Sequence, residues 1–223
     1  GSLAHGGIEA LRITQTDNGG STSAIGDIVV SLENTVTNDL EIDFTGTLGS
    51  LQLFVELDTG SVFNAPQAAG GGDLAPLEIL TNTIPALACD TFVTTGSYVA
   101  NDSLPTATFA GAIDLGGMPS PSFGPDGVDV IYSPSVGVYV ADQTDFPVAR
   151  ITLTDDASGT LRFFGSTLDD GIVFEARTRI FRGKVETLFV EGDFKGNGVV
   201  NNGDLNLLLS NWGESTVPDE WVG

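Results

Sequence analysis

The chain has 223 residues, 41% of them apolar and 8% aromatic, enough to bury one substantial core and too much for a disordered chain. Its 30 Asp and Glu against 8 Lys and Arg give a net charge of −22, and no Lys or Arg stands between Arg12 and Arg150. Nucleic-acid and phosphate binding need a basic footprint that releases counterions, so those functions are disfavoured and divalent cations are the more natural partners.

From Ile8 to Val190, short β-rich runs alternate with clusters of Gly, Pro, Asn and Asp, and almost nowhere does a 3.6-residue periodicity last long enough for a helix. GIEALRIT, DIVVSLEN, LEIDFTGTL and LQLFVELD read as the first strands. In the last of these Leu51, Leu53, Val55 and Leu57 share one face, opposite Gln52, Phe54 and Glu56. VDVIYS, GVYVAD, FPVARITLTD, GTLRFFG, IVFEARTRIF and KVETLFV supply the rest. Ten or so short strands predict an all-β fold, a two-sheet β-sandwich over residues 1–190, with a calcium loop plus helix over 191–213 and a tail over 214–223.

Two irregular segments interrupt the strand rhythm, FNAPQAAGGGDLAPLEI from Phe63 to Ile79 and GAIDLGGMPSPSFGPDG from Gly111 to Gly127. Loops of that length are uncommon unless they bind something or lie against a partner. Cys89, the one cysteine, sits in PALACDTF and reads as a small buried hydrophobe. Asn101-Asp102-Ser103 is a lone glycosylation sequon. Six of the eight basic residues fall between Arg150 and Lys184, and Arg177 and Arg179 share one strand face. Such a stripe pairs either with acids of its own sheet or with an acidic neighbouring subunit.

His5 is the only histidine and lies in a glycine-flanked segment, which leaves a Ser-His-Asp triad, a cysteine protease or a His-based zinc site without a credible base or ligand. No nucleophile elbow, Walker loop or His-Glu-x-x-His motif is present. Among 30 acids some pair always stands at glycosidase spacing, so that spacing carries no weight. The expectation is a non-enzyme. No apolar run approaches the roughly 20 residues that span a bilayer. Scarce Lys and Arg with plentiful Gly, Thr, Ser and Asp suit an extracellular or cell-surface protein.

GDFKGNGVVNNGDLNLLLSNWG, residues 192–213, has the spacing of a calcium loop. Calcium takes hard oxygen ligands, and a twelve-residue loop supplies them at positions 1, 3, 5, 9 and 12 with a backbone carbonyl at 7 and Gly at 6 for the sharp turn. With Asp193 first, the ligand set is Asp193, Asn197, the Val199 carbonyl, Asn201 and Asp204, and Gly198 falls on the turn. Lys195 occupies position 3, so one side-chain ligand is lost and a cation stands near the ion. Leu205, Leu208, Leu209 and Trp212 then follow at helical spacing, a leucine face that needs a surface to cover it.

The pattern D-x-x-x-N-G-x-x-N-x-x-D-L followed by a leucine-rich helix resembles one repeat of a type I dockerin, over about 22 of the 223 residues. That resemblance implies calcium and a docking or structural role. Dockerins carry two repeats, and ESTVPDEWVG is too short for the second. More faintly, LQLFVELDTGSVF and the later FPVARITLTDDASGTLRFF look like the strand rhythm of cohesin-type jelly-roll domains, the partners of dockerins. Two functions follow as expectations. One is a structural protein that self-associates head to tail into a filament, sheath or matrix, through an N-terminal strand such as GIEALRITQT and the C-terminal helix. The other is a secreted binding module for a glycan or a scaffold protein, with Phe163, Phe164, Tyr132 and Tyr139 as candidate stacking residues.

Overall fold

The computed structural model describes residues 6–100, 107–109, 122–169 and 171–186, together with 205, 208 and 209. Its strands are β1 (Gly7–Asp17), β2 (Thr22–Ile25), β3 (Ile28–Ser31), β4 (Thr35–Thr59), β5 (Phe92–Val93), β6 (Ala107–Phe109), β7 (Ser122–Gly124), β8 (Gly127–Pro134), β9 (Ala141–Thr154), β10 (Ser158–Thr167), β11 (Phe174–Phe181) and β12 (Lys184–Val185). The chain is all-β, as its alternation predicts. Between β4 and β5 the chain forms a short helix, α1 (Glu78–Thr83), and two 3-10 turns, Gln67–Ala69 and Pro85–Cys89, of which Gln67–Ala69 lies within the first irregular segment.

The 25-residue strand β4 organises everything else. Its first half pairs antiparallel with β1 and β9, and its second half, from Leu48 on, pairs antiparallel with β8 and β10. LEIDFTGTL and LQLFVELD, which read as two strands, are therefore one strand that passes from one sheet to the other. The hinge is at Gly46, whose φ of 82° is open to glycine and strained for other residues. The β9 register shifts between Phe44 and Thr47 at the same place, as expected where a strand turns a corner between sheets. Asp142 accepts the Gly46 N–H at 2.7 Å and Asp169 accepts the Thr47 N–H, so the amides freed by the bend keep partners.

The β9–β10 connection turns back beside the start and the end of β4. Asp155 N–H donates to the Asn34 carbonyl at 2.7 Å and Thr59 Oγ1 donates to the Asp156 carbonyl at 3.0 Å, which brings both ends of β4 to one end of the molecule. The two sheets thus face each other across a core. Leu40, Ile42 and Phe44 come from the first half of β4, and Leu48, Leu51, Leu53 and Val55 from the second. Val130, Tyr132, Ile151, Leu153, Leu161 and Phe163 fill the space between them. Each such side chain taken from water stabilises the fold by roughly 1.5–3 kcal/mol.

Asn38 closes the sandwich on the β12 side. Fully buried, it donates to the Ile151 and Gly183 carbonyls at 3.2 and 2.9 Å and accepts the Val185 N–H at 2.9 Å. One side chain thereby satisfies backbone groups on both sheets where the ladder ends.

The segment from Phe63 to Ala100 is a third layer over the outer face of the first sheet. Thr91 Oγ1 accepts the Thr152 N–H at 3.0 Å and donates to the Thr152 carbonyl at 3.2 Å, and Phe92 and Val93 pair with β9. A second small core of Val30, Leu32, Ala65, Ala69, Ile84, Ala86 and Leu87 lies beneath it. Cys89 packs partly buried against that cluster, its thiol 3.7 Å from the Asn18 amide oxygen. Within Phe63–Ile79, which the sequence marks as irregular, Ala65 and Ala69 are buried in that cluster and Phe63 packs against it.

Three further expectations change. GVYVAD is mostly loop: Val138 N–H bonds back to the Ser135 carbonyl at 2.9 Å around Gly137, and β9 begins only at Ala141. KVETLFV is a strand at Lys184 and Val185, and 187–190 lie outside the described residues. GIEALRITQT pairs with β4 of its own chain from Gly7 to Asp17, so here the strand expected to complete a neighbour completes its own sheet.

Candidate functional site

The sequence-predicted calcium ligands Asp193, Asn197, Val199, Asn201 and Asp204 lie outside the described residues, as do Lys195, Trp212, the sequon Asn101-Asp102-Ser103 and residues 111–121 of the second long loop. The donor set read from the sequence is all oxygen, which suits calcium. Leu205, Leu208 and Leu209 have helical backbone, as the leucine spacing predicts, and Leu205 and Leu209, four residues apart, are exposed.

Two charged sites tie the third layer and the sheet edge down. Arg150 on β9 is held by Asp39, Ala88 and Tyr98. Its Nε and Nη2 donate to the two Asp39 oxygens at 2.6 and 2.7 Å, its Nη1 donates to the Ala88 carbonyl, and its guanidinium lies 4.4 Å from the Tyr98 ring centre. Burial opposes the charge, but the Asp39 bond and charge outweigh it and hold the Arg150 pKa above its ordinary value. Burial, with Asp39 and Glu41 alongside, raises the Tyr98 phenol, so its hydroxyl stays protonated and donates to the Leu40 carbonyl at 3.2 Å. Arg12 on β1 reaches Asp43 with both Nη atoms and Asp145 with one.

Asp90 anchors the loop that carries Gly70–Gly72. Its Oδ1 accepts the Ala65 and Thr91 N–H groups at 2.7 and 2.9 Å, and its Oδ2 accepts the Gly72 N–H at 3.0 Å. Burial pushes its carboxyl up to about 6 even against these three donors. A shallow cavity of about 310 Å³ opens beside it, lined by Asn64, Gln67, Asp73 and Phe123 among others. The Asp90 oxygens are engaged with backbone, so the geometry makes it a positioning group for the loop. Nothing but one acid inside an apolar run, ALACDTFV, signals this residue in the sequence.

The expected stacking aromatics separate. Tyr132 and Phe163 are fully buried, with Tyr132 Oη donating to the Val148 carbonyl at 2.8 Å, so neither can meet a glycan. The alternation of β8 and β10 points both inward. Phe164 faces outward and is half-buried, and Tyr139 is exposed in the 135–140 loop.

The outer face of the second sheet carries the basic stripe. Arg162 on β10 stands directly opposite Arg177 on β11, and its guanidinium lies 4.5 Å from the centre of the Phe54 ring on β4. Arg179 pairs with Glu186 at 2.8 Å, an internal pair of the kind one reading of the stripe expects. Among the described residues Arg162, Arg177, Arg182 and Lys184 have no ion pair.

The two ends of the sandwich differ in character. At the β4 bend, Leu168 N–H bonds to the Thr47 carbonyl and Leu48 N–H to the Val140 carbonyl, both at 2.8 Å. That gathers two loops whose Val136, Tyr139, Leu168, Ile172 and Val173 are all exposed, Val136 at 99% and Tyr139 at 80%. The opposite end presents Glu33, Asp58, Asp126, Asp155 and Asp156, all exposed. Among the described residues no group of three or more His, Cys, Asp or Glu is arranged to hold a metal ion, and no helix is long and apolar enough to cross a membrane. No family model matches the chain, and no curated protein matches it.

Proposed function

We propose that this chain is an extracellular, non-enzymatic structural subunit that self-associates into a filament, sheath or matrix, with calcium held by the C-terminal loop. The observation that carries this reading is the apolar end at the β4 bend. Five large apolar side chains on two adjoining loops are presented to solvent there, and apolar surface concentrated in that way marks a contact site. The exposed Leu205 and Leu209 on one helical face add a second uncovered apolar surface. Meanwhile the buried Asp90 and the partly buried Asp39 and Arg150 are spent on holding the frame. Electron microscopy and sedimentation across protein and calcium concentrations test the reading. Ordered polymers support it, and monomers under every condition refute it.

The cavity beside Asp90 favours a second reading, a secreted module that binds a polar ligand such as a glycan. Amide and carboxylate side chains around an aromatic wall suit hydroxyl recognition. Capture on a glycan array that is lost in Gln67→Ala would support it. Deleting residues 192–213 separates the two, since the first reading expects lost assembly and the second unchanged capture.

A further inference from the structure

We infer that the outer face formed by β10, β11 and β12 is the docking surface for the acidic end of a second copy of this chain. The inference rests on the self-association reading and names its surfaces.

The basic residues are few, and the fold gathers most of them in one place. Between Phe174 and Glu186 four cations, Arg177, Arg179, Arg182 and Lys184, stand against two carboxylates, Glu175 and Glu186. Register then sets Arg162 directly across from Arg177. Like charges directly opposite on neighbouring strands oppose sheet formation, and a chain with 30 acids had many ways to neutralise that pair. Arg162 has instead the Phe54 ring, and Arg177 has no carboxylate among the described residues. The cost is offset when an anionic surface covers both.

Charge complementarity identifies that surface. The end opposite the β4 bend joins three turns, with Leu57 N–H bonded to the Asp126 carbonyl at 3.0 Å and Asp155 N–H to the Asn34 carbonyl at 2.7 Å. It presents Asp58, Asp126 and Asp155 to solvent. The β11–β12 turn that carries Arg182 and Lys184 stands at this end, with Gly183 N–H bonded to the Ala157 carbonyl at 2.9 Å, and neither cation forms an ion pair among the described residues, so Glu33, Asp58, Asp126, Asp155 and Asp156 leave the end with an excess of carboxylates. An end of one copy on a face of the next is a heterologous contact, which propagates as an open chain unless its rotation happens to close a ring. Complementary potentials of this kind set register and partner choice.

The test uses the full chain with two charge-reversed variants, and thermal melts first establish that each is folded. Arg162→Glu with Arg177→Glu reverses the face, and Asp58→Lys, Asp126→Lys and Asp155→Lys reverse the end. Each alone is expected to raise the protein concentration for half-assembly by about tenfold or more, an effect that shrinks with salt. Mixed in equal amounts they are expected to assemble again, because each altered surface meets its altered complement on the other variant. Arg162→Gln with Arg177→Gln, a milder change to the same face, is expected to fall between. Wild-type-like assembly by either reversed variant, or no rescue on mixing, overturns the inference while leaving self-association standing. A wild-type chain that stays monomeric overturns both. Binding of polygalacturonate that is lost in the face variant, with assembly unchanged, assigns the face to an anionic polysaccharide and also overturns it.

Discussion

Arg150 and Asp39 are direct partners in the β9–β4 ladder, and the guanidinium meets the carboxylate with two parallel bonds, Nε to Oδ1 at 2.6 Å and Nη2 to Oδ2 at 2.7 Å. Two-pronged geometry of this kind is available to Arg and not to Lys. Because the same guanidinium also holds the Ala88 carbonyl and lies against Tyr98, the pair fastens the third layer to the sheet. Arg150→Met leaves the Asp39 carboxylate in a largely covered site without its partner, and is expected to cost about 3 kcal/mol. Arg150→Lys should recover part of that, and Arg150→Met combined with Asp39→Leu should cost less than Arg150→Met alone. Urea unfolding of the four proteins checks the order. Equal stability of Arg150→Met and wild type would show that the third layer does not depend on this pair.

What was legible in the sequence was the period. Leu51, Leu53 and Val55 alternate with Gln52, Phe54 and Glu56, and the structure buries the first set and leaves the second facing outward. What was not legible was continuity and length. LEIDFTGTL and LQLFVELD read as two strands with Gly49 and Ser50 between them, whereas Gly46, inside the first, supplies the left-handed φ for a corner and Gly49 leaves room for the Ser166 carbonyl, which a Cβ would approach to 2.9 Å. Val138 and Val140 alternate well enough to predict a strand, yet the turn at Gly137 holds that stretch as loop. Helix α1 has only six residues, too few to show a period. At the candidate sites, residue type predicted chemistry but not direction: Tyr132 and Phe163 are aromatic residues on inward-facing positions, and only the sheet register shows that. Asp90 was missed because a single acid among apolar residues has no spacing to recognise. The basic stripe was visible as a run, but the Arg162–Arg177 opposition needs the β10–β11 register.

Gly60 closes β4 where the strand meets the β9–β10 turn, and two constraints coincide on it. Its φ is 74°, and a Cβ would stand 2.4 Å from Ala157 Cα and 2.6 Å from its nitrogen. Ala157 is fully buried backbone at a tight turn and has nowhere to yield. Gly60→Ala is therefore expected to lose at least about 2 kcal/mol, more than the usual penalty for a left-handed non-glycine residue alone. Gly19→Ala serves as the control, since its φ is also positive and a Cβ there meets nothing within 4 Å. Thermal melts should rank Gly60→Ala well below Gly19→Ala, and equal melting temperatures would show that the close approach is relieved.

Asp90 gives the molecule a pH response with a definite sign. Burial raises its folded-state pKa to about 6 from the ordinary 3.8, so the folded chain holds that proton more tightly than the unfolded one. Its contribution to stability is then full below the ordinary value and is lost as pH rises through about 6. Asp90→Asn removes the titration and replaces one acceptor oxygen with a donor, to the detriment of one of the three backbone bonds. The variant should be less stable than wild type throughout, by a margin that is larger near about pH 4 than near about pH 8, because only wild type loses stability from this group between them. Urea unfolding of both proteins at the two pH values gives the difference directly, and a margin that is constant or grows with pH would contradict the assignment.

The C-terminal loop carries the remaining prediction. The calcium ligands proposed from the sequence, Asp193, Asn197, the Val199 carbonyl, Asn201 and Asp204, are all oxygen donors, and Lys195 in place of a sixth ligand would weaken such a site relative to a full loop. Weak sites still fill outside cells, where modules work at dissociation constants of about 10⁻⁴–10⁻³ M. Calcium bound only by the folded loop stabilises it by mass action, by about 2.7 kcal/mol at roughly 100 times the dissociation constant. Chelator is therefore expected to lower the melting temperature of the calcium-loaded protein, and Asp193→Ala with Asp204→Ala to abolish that difference. Lys195→Asp restores an oxygen at position 3 and removes the cation, so it should tighten calcium binding in titration calorimetry by about tenfold or more. A loaded sample whose melting temperature is indifferent to chelator, together with a Lys195→Asp variant that binds no tighter, would leave residues 192–213 as a metal-free turn that begins a helix.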